Sequence, residues 1–207
     1  MAKRDSADPT ANQALFDRIA LALSTQGYII LTDGLPLALG GALYARIAGA
    51  PDEFRQAGVG RGQSHTVDGL TRTDGIRWLR PDGPAEVAYL LWMEQLRLGL
   101  NRRLCLGLFD YESHFAVYEP DAFYHKHLDA FHGSANRVLS TVVYLNPHWL
   151  PGYGGELLIH SPDGETLVES VTPDFGSMAI FLSATTLHEV AVTHHQRYSI
   201  AGWFSVR

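Results

Sequence analysis

His127 and Asp129 are separated by one residue, and His188 lies 188 − 129 = 59 residues beyond the aspartate. In an extended segment alternate residues share a face, so one imidazole and one carboxylate of YHKHLD can reach a single ion. His188 follows the apolar run in FLSATTLHEV and is the candidate third donor. Two neutral imidazoles and one carboxylate on one face of an octahedral ion leave half of its coordination sphere free. That donor set suits iron(II), although zinc, cobalt or nickel would satisfy the same ligands by affinity alone. The free positions could take a 2-oxo acid through its keto and carboxylate oxygens and leave one for dioxygen. An ordinary alternative is a histidine that merely hydrogen-bonds the nearby aspartate, since a motif is a hypothesis until its context agrees. A second set, His125 with His127 and Asp129, needs a bend in the strand, because donors along one straight strand spread too far apart to meet.

Arg197 follows His188 by 197 − 188 = 9 residues and opens the apolar segment RYSIAGWF. An arginine entering a buried strand is costly unless its charge is paired, and the distal carboxylate of 2-oxoglutarate offers a planar, bidentate partner. A structural ion pair with a protein carboxylate would serve as well. Tyr144, in STVVYLN, could add its hydroxyl to the same carboxylate or simply fill core. His194 and His195 read as exposed turn residues, and His65, His114, His132, His148 and His160 follow no pattern.

Elements must bring these residues together. From Asn12 to Gln26 the apolar residues Leu15, Ile19, Ala22 and Leu23 recur at helical spacing, with Gly27 as a stop. Tyr28 to Leu31 reads as a short strand, and Pro36 suits the first turn of a second helix that runs to about Ala48. Residues 58–75, rich in Gly, Thr, Asp and Arg, read as a long mobile loop. Ile76 to Leu79 follows as a strand and residues 84–104 as a strong helix. Beyond Phe109 the chain breaks into short runs, Phe115–Tyr118, Phe123–Leu128, Val138–Leu145, Glu156–His160, Glu165–Val171, Ser177–Phe181, Val190–Val192 and Tyr198–Val206. Many short strands without intervening helices predict an α+β chain: a mainly antiparallel jelly roll over 108–207, supported by helices from 11–104, as one domain after a disordered tail at 1–10.

The 207 residues carry a formal net charge of −6, which gives no long-range attraction for phosphate backbones, so nucleic acid is disfavoured as a partner. Val87 to Met93, the longest apolar run, is too short to cross a bilayer, and MAKRDSADPTANQ lacks the apolar core of a signal peptide. A cytoplasmic protein without a membrane partner is expected. The single cysteine, Cys105, can form no internal disulfide and reads as core filler.

With those residues in view, the chain from roughly Val59 to Arg207 resembles the 2-oxoglutarate-dependent prolyl hydroxylases, the oxygen-sensing animal enzymes and their bacterial relatives. The resemblance rests on YHKHLD, NRVLSTVVYLN, GYGGEL, TLHEV and RYSIAGWF. It implies a double-stranded β-helix with iron(II) on His127, Asp129 and His188. It implies 2-oxoglutarate held by Arg197 and Tyr144, with Tyr118 near its iron-binding end and Leu157 lining the pocket. By the same resemblance TRTDGIRWL is a mobile substrate-covering loop with the strand after it. Asp74 would pair with Arg137 on closure, and Tyr124, Arg137 and Trp203 would touch a peptide substrate, Trp203 packing beside the iron. Ala201 stands where those enzymes carry a hydroxyl side chain. The implied cofactors are iron(II), 2-oxoglutarate and dioxygen, with ascorbate as a stimulant. The implied reaction hydroxylates a prolyl residue, in the bacterial form one of elongation factor Tu, and releases succinate and carbon dioxide. The same chemistry on a small molecule or free amino acid, or a non-catalytic metal- or ligand-sensing module, are the other readings of the sequence.

Overall fold

Short runs after Phe109, some alternating and some wholly apolar, build two antiparallel sheets that face each other across the site. The computed structural model describes residues 9–58, 70–130 and 136–207. Most of the expected tail at 1–10 and of the expected loop at 58–75 lies outside those ranges. Pro9 and Thr10, assigned to the tail, already belong to the first helix.

Helices α1 (Pro9–Gln26), α2 (Leu37–Ala48) and α3 (Pro84–Leu104) alternate with β1 (Tyr28–Leu31), β2 (Arg55–Gln56) and β3 (Gly75–Trp78). The remaining strands are β4 (Asp110–Tyr118), β5 (Tyr124–His127), β6 (Arg137–Tyr144), β7 (Leu157–His160), β8 (Leu167–Val171), β9 (Met178–Leu182), β10 (His188–Val190) and β11 (Arg197–Ser205). The larger sheet has the order β1-β9-β6-β11-β4-β3-β2 and the smaller one β5-β10-β7-β8. Every named pairing is antiparallel. This is the expected double-stranded jelly roll, with β1, β2 and β3 from the first half of the chain widening the larger sheet.

The period-2 pattern decides which side chains meet the helices. On β4, Phe115 and Val117 turn outward, and on β11 Ile200 and Phe204 do the same. They join Leu15, Ile19 and Leu23 of α1, Leu43 and Ile47 of α2, and Tyr89, Met93, Leu96 and Leu100 of α3 in one core. Each such side chain contributes about 1.5–3 kcal/mol by leaving water. The helix layer thereby holds the sheet in place from behind, and its opposite face, carrying the other residues of β4 and β11, is turned toward the site.

Three sequence expectations shift. β4 starts at Asp110, earlier than the apolar run at Phe115, because cross-strand bonds to β11 continue through the polar residues DYESH. The strand expected at Val190–Val192 is instead His188–Val190, which pairs with both β5 and β7, while Val192 is exposed. Cys105 is not core filler: it is exposed and closes α3 in a left-handed conformation, φ 52°. Among the described residues no helix is long and apolar enough to cross a membrane.

Candidate active site

The smaller sheet carries the metal-binding candidates. His127 ends β5, Asp129 follows two residues later, and His188 opens β10 directly opposite His127 in register. One donor atom from each of the three lies within 4.8 Å of the others. His127 Nε2 is 3.6 Å from Asp129 Oδ1, and His188 Nε2 is 3.8 Å from Oδ2. Those separations are too long for hydrogen bonds, so the three donors face a common point without bonding one another.

The backbone selects the tautomers. His127 Nδ1 lies 2.7 Å from the His125 carbonyl and His188 Nδ1 2.9 Å from the Thr186 carbonyl. A carbonyl only accepts, so each Nδ1 carries a proton and Nε2 is the nitrogen left to face an ion. On the opposite side Ser140 Oγ, from β6, donates to Asp129 Oδ2 at 2.6 Å and contacts Ser183 Oγ at 2.9 Å. Burial alone would raise the Asp129 carboxyl, but the His188 and His127 rings and the Ser140 hydroxyl outweigh it and hold the group well below the usual carboxylate range. Burial, with His127 beside it, pushes His188 down to about 4, keeping it neutral. Two imidazoles that present Nε2 and an ionised carboxylate fit a divalent cation open to further ligands. The alternative set with His125 is not assembled: its ring is exposed beside Phe123, 4.5 Å between centroids, and it gives the site only its carbonyl.

A cavity of about 490 Å³ joins this triad to the inner face of the larger sheet. At its closed end Arg197 is 1% exposed. Its Nε donates to the Gly155 carbonyl at 2.8 Å and its Nη1 to Ser199 Oγ at 3.1 Å. The guanidinium carbon sits 4.8 Å from the Tyr118 ring centroid and 5.2 Å from that of Tyr144. Gly155 permits this approach, because it holds φ +68° and a Cβ there would come within 2.9 Å of Arg197 Cδ. The structural ion pair is not made: among the described residues no carboxylate pairs with Arg197. The buried Tyr144 hydroxyl also has no partner in hydrogen-bond geometry. Burial pushes that hydroxyl up to about 12 against the pull of Arg197, and burial likewise raises Tyr118. A buried cation without a counter-charge among the described residues, and an orphaned hydroxyl beside it, are chemically suited to an anion. Leu157, fully buried, and Tyr118 line the same cavity.

Of the expected substrate contacts, Tyr124, Arg137 and Trp203 line the cavity. Tyr124 lies flat on His127, with centroids 3.7 Å apart and planes at 15°. Arg137 Cζ sits 3.7 Å over the Trp203 ring. The expected pairing of Asp74 with Arg137 is not found. Arg72, two residues away, donates Nε and Nη2 to the two Asp74 oxygens at 2.7 and 2.6 Å, while Arg137 donates to Glu112 at 2.9 and 3.2 Å. Asp74 is fully buried and does not line the cavity.

Residues in and beside the cavity also escaped the sequence reading. Arg72 stacks 4.3 Å from the Tyr124 centroid, and its signal was the Arg-X-Asp spacing within a segment read as loop. Ser140 shares the inward face of β6 with Val142 and Tyr144, visible only once the strand register is known. Ser199 and His114 sit at inward positions of β11 and β4 for the same reason.

Residues 113–205 match the family model described as the 2OG-Fe(II) oxygenase superfamily. A prolyl-4-hydroxylase from Pseudomonas putida is 36% identical, with 93% of this chain and 99% of that chain covered and a TM-score of 0.84. A Trichoplax adhaerens prolyl hydroxylase, solved in complex with a hypoxia inducible factor oxygen degradation domain peptide fragment, is 22% identical over 98% of this chain and 94% of that one, at TM-score 0.83. An oxidoreductase of the 2OG-Fe(II) oxygenase family from Burkholderia pseudomallei is 19% identical over 99% and 96%, at TM-score 0.63. No curated protein sequence matches the chain.

Proposed function

The chain belongs to the 2-oxoglutarate- and iron(II)-dependent oxygenases, within the prolyl hydroxylase family, and from that premise we propose that it hydroxylates a prolyl residue of a protein, with elongation factor Tu as the candidate substrate. His127, Asp129 and His188 hold iron(II) in this reading. When bound, the metal supplies the site at which dioxygen oxidises 2-oxoglutarate to succinate and carbon dioxide and a proline C–H bond becomes C–OH. Arg197 and Tyr144 take the distal carboxylate of the co-substrate, Leu157 and Tyr118 wall its chain, and Tyr124, Arg137 and Trp203 meet the peptide.

The observation that carries the reading is one cavity with a three-donor cluster on one sheet and an unpaired, buried guanidinium on the other. A dicarboxylate with a keto group beside one carboxylate satisfies both ends at once. The protein's own work is positional. The His125 and Thr186 carbonyls fix the imidazoles, Ser140 orients Asp129, and Arg197 sets how deep the co-substrate lies. No general base is required, which agrees with the absence of any further titratable group bonded to the triad among the described residues. The test is incubation of the protein with iron(II), ascorbate, 2-oxoglutarate and purified elongation factor Tu, followed by peptide mass spectrometry. Gain of one oxygen on a proline, with matching succinate release, is expected. Succinate release that no elongation factor Tu stimulates, with no oxygen gained on any of its prolines, would overturn the substrate assignment.

A further inference from the structure

Paired inward residues divide the larger sheet's inner face into rows, and the rows act as a ruler. In register across β4 and β11 they are Tyr118 with Arg197, Ala116 with Ser199, His114 with Ala201, and Glu112 with Trp203. Four residues separate Tyr118 from His114, roughly 14 Å of antiparallel strand. The first row is the closed, cationic end. The small side chains of Ala116, Ser199 and Ala201 leave the next stretch open for a diacid chain. Trp203 pairs on its other side with Ser140, the residue that holds Asp129, so the His114 and Trp203 rows stand level with the metal-binding triad. Trp78 pairs with His114 and is 47% exposed, which makes this the open end of the cavity.

His114 therefore lines the cavity beside Trp203, next to the candidate metal-binding triad. Its ring lies between two tryptophans, 5.4 Å from Trp78 edge-on and 5.4 Å from Trp203. Its Nδ1 is 3.2 Å from the Phe115 carbonyl and so carries the proton, which leaves Nε2 as an acceptor. Nε2 has no hydrogen-bond partner among the described residues. Burial, reinforced by the charge of Arg72, pushes His114 down to about 4, so the ring is neutral and Nε2 stays an acceptor at neutral pH.

We propose that His114 is a specificity-determining residue that accepts a hydrogen bond from the backbone N–H following the target proline. The inference rests on the prolyl-peptide reading given above. A prolyl nitrogen in a chain carries no hydrogen, so the target residue offers none. The amide of the next residue is the nearest donor along the chain to the reacting ring. An acceptor that faces the cavity and that a bound peptide would bury penalises any ligand that leaves it unpaired. The predicted consequences are selection against a second proline directly after the target and rejection of free proline.

The probe is a library of blocked hexapeptides with a central proline, each made with the ordinary amide after that proline and with an ester in its place. The ester removes the N–H without adding bulk. Wild-type protein should favour the amide by about 10- to 100-fold in kcat/KM, mostly through KM. In His114→Phe the amide-to-ester ratio should collapse to about 1, and in His114→Gln, whose side-chain oxygen can accept, it should recover in part. A merely structural role for His114 would weaken both peptides alike and leave the ratio unchanged. Equal wild-type rates on amide and ester, or a ratio that survives His114→Phe, overturns this inference alone. A library in which no peptide is hydroxylated overturns the prolyl-peptide reading, and this inference with it.

Discussion

Replacing Arg197 by methionine keeps most of the side-chain volume and removes the charge. The guanidinium uses Nε on Gly155 and one Nη1 hydrogen on Ser199, so Nη2 and the other Nη1 hydrogen remain for a carboxylate. A charge-assisted hydrogen bond contributes about 1.5–3 kcal/mol, which predicts a rise of roughly 10- to 150-fold in the KM for 2-oxoglutarate. Stability gives a second, independent reading. With manganese(II) in place of iron, to prevent turnover, 2-oxoglutarate at one hundred times its Kd should stabilise the wild-type protein by about 2.7 kcal/mol. At the same concentration the variant, binding roughly 10- to 150-fold more weakly, gains only about 0.3–1.4 kcal/mol. Without co-substrate the variant should unfold in urea at the same midpoint or a higher one, because it no longer buries a cation without a counter-charge. Succinate release and urea unfolding with and without co-substrate measure all three quantities. An unchanged KM together with an undiminished co-substrate effect on stability would refute the placement of the anchor.

Other outcomes follow from the same contacts. Tyr144→Phe removes a hydroxyl that has no partner, so stability without co-substrate should hold while the 2-oxoglutarate KM rises roughly 2- to 12-fold; an unaltered KM would place the hydroxyl outside the co-substrate site. Asp74→Ala leaves Arg72, 8% exposed, without its partner and should cost about 3–5 kcal/mol in urea unfolding; a loss below about 1 kcal/mol would show that the pair is solvated. His114 titrates near about 4 in the folded chain and near about 6.5 unfolded. The unfolded state then binds the proton first, and stability present above about pH 6.5 is lost as pH falls toward 4, by about 3 kcal/mol in all. The charges facing the ring are Arg72, Asp74 and Arg137, so the loss should shrink in His114→Phe, and an identical pH slope in both proteins would contradict the buried, neutral ring.

The three-donor cluster and the buried Arg197 were legible because their chemistry constrains residue type and spacing at once. His127 and Asp129 share a strand face by simple alternation, and Arg197 stood out as a charge opening an apolar strand. The helices α1, α2 and α3 were legible from apolar periodicity, α2 also from Pro36, and β1 from four apolar residues between Gly27 and Asp33. What escaped was whatever depends on register between distant strands. Ser140 cannot be linked to Asp129, or His114 to Trp203, until β6, β11 and β4 are aligned. β10 was displaced because His188 and Glu189 carry no apolar signal; the first residue serves the site rather than the core. Asp74 was assigned to Arg137 by resemblance, yet Arg72 is closer in sequence and takes both carboxylate oxygens. Cys105 was misjudged on residue type alone, since its backbone position at the end of α3 exposes it.

The convergence of three donors and one guanidinium on a single ligand is tested most directly by an anaerobic titration of iron(II), followed by 2-oxoglutarate, monitored by visible absorption. One iron per chain is expected, with a metal-to-ligand charge-transfer band that grows as 2-oxoglutarate chelates it, is lost in Asp129→Ala and requires more co-substrate in Arg197→Met. A chain that binds no iron, or a band that survives unchanged in both variants, would contradict the account.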